Sequence, residues 1–259
     1  HTKLPSYALV KMFCCAQGTL CIPVSAHLLL YARPDFSYSV IIYCKTLEDA
    51  FKQTAKIAKS GLPFSCVELV DPTLIAELAA QNSLPQSTVQ TGNAAAICVQ
   101  IHGMPEVVAD LRKDLSELLP SSALLDLDAS AEHSFWQELS RFGQTQDGSW
   151  VRFAASKKTL QKIIEASTSL NTKSIWTARP SRHKALFRLP IDENAERFVS
   201  EISKLLPGAN NEITAAYPSD SHSYQLRQLP DNDLVLMELK RRIKAEYDPR
   251  GILNPLAAL

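Results

Sequence analysis

Between residues 37 and 128 the chain switches repeatedly between the hydrophobic rhythm of a strand and that of a helix. Ser37–Lys45 (SYSVIIYCK) is rich in β-branched and aromatic residues, the composition of a strand. Thr46 follows as a helix cap, with Glu48 and Asp49 in the first turn, where the positive end of the helix dipole favours them. That helix runs to Ser60 and ends at Gly61, with Pro63 beyond it. Phe64–Val70 reads as a second strand, and Asp71-Pro72 opens a second helix with proline at its first position. The polar stretch Asn82–Asn93 is the best internal loop. Ala94–His102 is then a strand, Pro105–Leu118 a helix, Leu124–Leu127 a strand, and Ser130–Phe142 a helix carrying Trp136.

The cycle then restarts. Trp150–Ala154 reads as a strand, Lys157–Ala166 as a helix, Ser174–Ala178 and Lys184–Leu189 as strands. Helix Glu193–Leu205, strand Glu212–Tyr217 and a final helix Asn232–Tyr247 follow. Two β-α-β…β-α-β units therefore span roughly 37–128 and 149–218, the order of the split βαβ, ferredoxin-like pattern. The expected fold is α+β: two ferredoxin-like units forming one antiparallel sheet of about seven or eight strands, with helices on one face. The open face would receive a partner or a second domain. Ahead of these units, residues 5–17 read as a short helix broken at Gly18-Thr19, and Cys21–Tyr31 as an edge or irregular strand interrupted by Pro23.

Composition narrows the function. A hydrophobic content of 46% and a charged content of 21% belong to a globular protein with a core. Lys+Arg and Asp+Glu balance at 27 each, so the basic excess that a nucleic-acid surface needs is missing and no nucleic-acid partner is expected. Cys14, Cys15, Cys21, Cys44, Cys66 and Cys98 include no Cys-x-x-Cys pair and mostly sit among apolar neighbours, which implies a reduced, cytoplasmic protein without disulfides or zinc. Lys11, Gln17, Pro23 and His27 interrupt the apolar start, so neither a signal peptide nor a transmembrane segment is read there. A first residue of His1 suggests a fragment or a processed chain. Glycine is scarce, 8 of 259 residues, and no Gly-x-Gly-x-x-Gly or Walker-type loop occurs, so the chain has no self-contained cradle for a nucleotide pyrophosphate.

The chain's last helix runs into Lys244-Ala-Glu-Tyr-Asp-Pro-Arg-Gly-Ile-Leu-Asn-Pro255. Asp248 before Pro249 ends the helix, Gly251 supplies a tight turn, and Pro255 forbids further helix. Propensity alone makes this a stop signal. The whole string, however, resembles the C-terminal signature of FAD-linked oxidases of the vanillyl-alcohol oxidase type. The stretch Tyr7–Ile22 is similar to the segment that closes the FAD-binding domain in that family, with Tyr7, Leu9, Lys11, Phe13, Gly18, Thr19 and Leu20 matching. Ala8, Cys15, Cys21 and Pro23 depart from it, and two of those departures replace glycines. The remaining reading of this stretch is a helix and strand packed on the sheet. Thr46–Ala50, Cys66–Pro72, Trp176–Pro180 and Ala185–Pro190 resemble the cap domain, and the last two are reminiscent of the E-type accessory subunit of bacterial glycolate oxidase.

The resemblance implies three regions: 1–34 as the end of a FAD-binding domain, 35–228 as the cap, and 229–259 as a C-terminal helix with a flavin-side tail. It also implies FAD as cofactor, with Gly18, Thr19, Ile22 and Asn254 near the flavin. The implied partners are other subunits of an oxidase complex or a separate FAD-binding domain. No catalytic residue or metal ligand carries over, because the six histidines (1, 27, 102, 133, 183 and 222) are scattered, with no two at ligand spacing on one element. Arg179 and Arg188 flank a hairpin-like turn; a guanidinium fork there would suit a carboxylate or an acidic partner, and beside Arg182 and Lys184 they also read as a solvated basic turn. Strand alternation accounts for Glu68, and a helix start for Asp71. A second function class stays open: a non-catalytic, ferredoxin-like interaction module derived from the same family.

Overall fold

The computed structural model describes residues 5–14, 18–30, 32, 34–81, 83–142, 149–170, 172–207, 214–218, 224–228 and 234–253. Asn254, expected near a flavin, lies outside the described residues. Helix α1 (Pro5–Cys14) precedes a first unit of β1 (Phe36–Cys44), α2 (Leu47–Lys59), β2 (Cys66–Val70), α3 (Pro72–Ala80), β3 (Ala95–Gly103), α4 (Pro105–Leu118), β4 (Leu125–Leu127) and α5 (Ala129–Arg141). The second unit contains β5 (Trp150–Ala154), α6 (Lys157–Ser169), β6 (Ile175–Arg179), β7 (Lys184–Arg188), α7 (Ala195–Leu205) and β8 (Thr214–Pro218). Strand β9 (Tyr224–Gln228) and helix α8 (Leu234–Tyr247) complete the order.

The strands form one nine-stranded sheet in the order β4-β1-β3-β2-β6-β7-β5-β8-β9. Every neighbouring pair is antiparallel. The first unit reads 4-1-3-2 in its own strand numbers, and β6-β7-β5-β8 reads the same from the opposite direction. Two ferredoxin-like units thus meet edge to edge, as the sequence pattern predicts. Their seam is narrow: Leu69 pairs with Ala178 and Val70 with Thr177, and the Asp71 amide bonds the Trp176 carbonyl at 2.9 Å.

Strand periodicity sorts side chains between the two faces. Val40 and Ile42 of β1, Ile97 and Val99 of β3, Phe153 of β5 and Phe187 of β7 are buried in one cluster with residues of α2, α4, α6 and α7. Phe153, Phe187 and Phe198 form its aromatic centre, with ring centroids 5.5–6.2 Å apart. On the other face α3 and α5, which stand outside the ferredoxin order, pack Leu74, Ile75, Leu78, Phe135 and Leu139 over Ile41, Val70, Ala96 and Cys98. The face expected to be open is therefore partly roofed. Local chemistry starts these helices: Thr46, Asp71 and Asp128 accept hydrogen bonds from Asp49, Thr73, and Ser130 with Ala131. Each such cap stabilises its helix by about 1 kcal/mol.

Two elements differ from the sequence reading. Strand β9 is absent from the sequence reading, although Tyr224 and Leu226 alternate there with Gln225 and Arg227, and it pairs with β8. Residues 21–30 belong to no ladder of the sheet. Pro23 removes a donor there, and Ile22, Val24, Leu28, Leu29 and Leu30 are 72–94% exposed.

Candidate functional site

The two ends of the described chain meet in a knot. Four residues before Asp248, at the end of α8, Lys244 extends its ammonium to three acceptors. It donates to the Thr19 carbonyl at 2.6 Å, to the Leu253 carbonyl at 2.7 Å and to the Asp248 carboxylate. An ammonium has three protons to donate, so its capacity is filled. Asp248 in turn accepts from the Ile252 amide at 3.0 Å and the Leu253 amide at 2.8 Å. Gly251, at φ +62°, makes the return that aims both amides at the carboxylate. The Lys244 bond, followed by those two amides, holds the Asp248 carboxyl down to about 2. Tyr247 adds an edge-on contact with Phe13 of α1, centroids 5.3 Å apart.

This knot explains the spacing of the C-terminal string. Lysine at −4 supplies the cation, Asp248 the acceptor, Pro249 the end of the helix and Gly251 the turn. It also places the residues expected near a flavin. Thr19 is buried, with its carbonyl on Lys244. Gly18 next to it takes φ +74°, and a Cβ there would meet nothing within 4 Å. Its glycine serves the left-handed turn, and the space beside it is open. Ile22 is exposed.

A second polar assembly lies on the face roofed by α5. Glu132 is buried and accepts from Ser37, from Ser39 at 2.9 Å and from Gln100 at 3.3 Å, while the Trp136 indole donates to Ser39 at 2.9 Å. Burial of the Glu132 side chain is tolerated here because three donors converge on its Oε1. Across the sheet, Glu68 of β2 receives both Nε and Nη2 of Arg179 at 2.8 Å. Burial pushes the Glu68 carboxyl up, and the bonds from Arg179 and Thr177 pull it back. Arg188 of β7 pairs with Glu77 of α3 and lies 5.4 Å from the Phe142 ring. The arginines expected to meet a carboxylate thus already hold one from their own chain; Arg182 and Lys184 remain exposed.

The seam carries a cavity at each end. One, of about 290 Å³, is lined by Ile57, Leu62, Phe64, Cys66, Arg179 and Arg182. The other, of about 490 Å³, is lined by Asp71, Thr73, Glu77, Lys173, Ser174 and Trp176 among others. Asp71 caps α3, as its place before Pro72 implied. His102, His133 and His183 lie on β3, on α5 and in the β6–β7 turn. Among the described residues no group of three or more His, Cys, Asp or Glu side chains is placed to hold a metal ion, Cys21, Cys44, Cys66 and Cys98 are free thiols, and no helix is long and apolar enough to cross a membrane.

Sequence reading missed the Glu132 assembly. Ser37, Ser39 and Gln100 carried its signal, polar residues on one face of otherwise apolar strands; Glu132 itself stands 93 residues from Ser39.

The fold is shared with solved structures of alkyldihydroxyacetonephosphate synthase (TM-score 0.58, 14% identity, 92% of this chain and 47% of that one). It is shared also with p-cresol methylhydroxylase with substrate bound (TM-score 0.54, 15% identity, 85% of this chain and 52% of that one). In sequence the chain is similar to a probable mitochondrial D-lactate dehydrogenase of Danio rerio, 20% identical over 278 residues that cover 96% of this chain and 53% of that protein. The chain spans about half the length of each. No family model matches it.

Proposed function

We propose that this chain is the cap and C-terminal part of a FAD-linked oxidoreductase of the 2-hydroxy-acid class, most like the accessory subunit of a bacterial glycolate oxidase. The observation that carries the reading is the knot. The two stretches that resemble FAD-linked oxidases, Tyr7–Ile22 and Lys244–Pro255, are joined through one ammonium although Thr19 and Lys244 are 225 residues apart. The similarity to a D-lactate dehydrogenase points to the same substrate class.

The residues present fit one edge of a flavin site. Gly18 offers open space in a left-handed turn and Ile22 an exposed apolar side chain; Asn254, outside the described residues, would complete that edge. The pyrophosphate would rest on a separate FAD-binding domain or another subunit, because this chain has no glycine loop for it. When bound, the flavin supplies hydride acceptance, and the protein supplies position and electrostatics. This chain's share is to present the 18–22 edge and to cover the substrate side with the sheet face that carries Arg179 and Glu68.

The test is the natural full-length polypeptide with its complex. It should purify with flavin absorbance that bleaches anaerobically on adding glycolate or D-lactate. A preparation that stays colourless after incubation with FAD would sink the reading. The exposed apolar side chains of Ile22, Val24 and Leu28–Leu30 and the cysteines in place of glycines favour a second reading, the non-catalytic interaction module. That module would hold a protein partner through size-exclusion chromatography with no flavin present.

A further inference from the structure

We infer that Lys244 is a positioning residue: its ammonium fixes the 18–22 segment and the 252–253 segment in one register, so that they form a single ligand-facing edge. The consequence for a cofactor rests on the function proposed above; the mechanical coupling does not.

Three observations carry the inference. First, the Lys244 side chain is only 15% exposed, and its ammonium's acceptors come from three separate places: the Thr19 carbonyl, the Leu253 carbonyl and the Asp248 carboxylate. A lysine that served only as a helix C-terminal cation would point to solvent or to its own last carbonyls. Second, both carbonyls belong to chain outside any helix or strand. Their placement therefore depends on side-chain bonds of this kind. Third, the carboxylate that balances the charge also grips the Ile252 and Leu253 amides. The lysine thus holds the 252–253 segment twice, directly and through Asp248, and holds the Thr19 segment at the same time. Hydrogen bonds from a charged, water-excluded donor are the strong class.

The geometry also explains why the neighbouring residues remain available. Thr19 turns its carbonyl inward to Lys244, Gly18 takes the left-handed turn beside it, and Ile22 then stands exposed. The clasp therefore orders the backbone without covering the surface that would face a ligand.

The experiment compares the full polypeptide with Lys244→Met, and with Lys244→Met combined with Asp248→Asn. The single variant strands a buried carboxylate and is expected to lose thermal stability. The double variant removes that orphan charge and should recover much of the loss. Hydrogen–deuterium exchange reads the coupling directly. In both variants the amides of residues 19–22 should exchange about ten- to hundredfold faster than in the native protein, the factor expected of losing a charge-assisted bond. In preparations that hold flavin, FAD should dissociate faster by a similar factor, in the double variant as well as the single. A purely structural lysine would show the opposite split, with exchange at 19–22 and FAD release returning to native rates as the double variant regains stability; that result overturns the inference. If the native protein holds no flavin, the proposed function fails, while exchange at 19–22 still decides the clasp.

Discussion

Replacing Arg179 by methionine should weaken the seam between the two ferredoxin-like units. The change keeps most of the side chain's bulk and removes the partner of Glu68. That carboxylate is 6% exposed and accepts two guanidinium N–H groups at 2.8 Å, whereas Arg179 is 44% exposed. Removing one partner of a fully buried pair costs about 3–5 kcal/mol, because the other charge is left uncompensated. Water reaches the Arg179 side of this pair, so roughly half of that applies, about 2 kcal/mol. Urea unfolding followed by tryptophan fluorescence, to which Trp176, buried beside the seam, contributes, would measure it. The sign with pH is fixed. Burial raises the folded pKa of Glu68, so the folded state binds the proton more tightly than the unfolded chain. Stability then falls as pH rises from the ordinary carboxylate value, about 4.3, to the raised one. Without Arg179 that window extends upward, and the variant should be closest to native below pH ~4. Adding Glu68→Gln should restore most of the loss at pH 7. A single variant within about 0.5 kcal/mol of native at pH 7, the range of ordinary surface changes, or a double variant no more stable than the single, would refute the reasoning.

Other outcomes follow from the same structure. Phe198→Ala should destabilise by about 3–5 kcal/mol in chemical denaturation, since the ring is fully buried between Phe153 and Phe187. Asp248, held down to about 2, contributes stability that is present above its unfolded pKa of about 3.9 and disappears as pH falls through the folded value; an acid titration of Asp248→Asn should lack that step. Burial pushes the Cys44 thiol up to about 12 and the Cys98 thiol well up. Native protein treated with a thiol reagent near pH 8 should therefore leave both unmodified, and mass spectrometry should find them labelled only after denaturation.

The double β-α-β order was legible because each element carries its own local instruction. Thr46 and Asp71-Pro72 start helices, and the β-branched and aromatic composition of 37–45 marks a strand. Strand β9 was passed over because its alternation, Tyr224 and Leu226 against Gln225 and Arg227, is only five residues long and becomes a strand by pairing with β8. The partial roof over the second face was hidden for a related reason: α3 and α5 could be read as helices, but the face they choose depends on the long-range match with Ile41, Val70 and Cys98. At the candidate site the terminal strings were legible as motifs, and their meeting was not. Nothing local in Gly18-Thr19 announces a lysine 225 residues away. The same holds for Arg179 and Arg188, whose guanidinium groups pointed to an acidic partner without revealing that Glu68 and Glu77 would supply it.

The knot at Lys244 makes this stretch sensitive to length as well as to residue identity. Its bonds run from Asp248 four residues back to Lys244 and four and five residues forward to Ile252 and Leu253. One residue inserted between 244 and 248 would rotate the lysine by about 100° around the helix, away from every acceptor together. One inserted between 248 and 252 would carry both amides past the carboxylate. Variation in this chain should therefore accept substitutions at exposed Arg250 far more readily than any gain or loss of a residue from 244 to 253. The exposed polar stretch 90–92 carries no ion pair of this kind, and a change of length there should cost less.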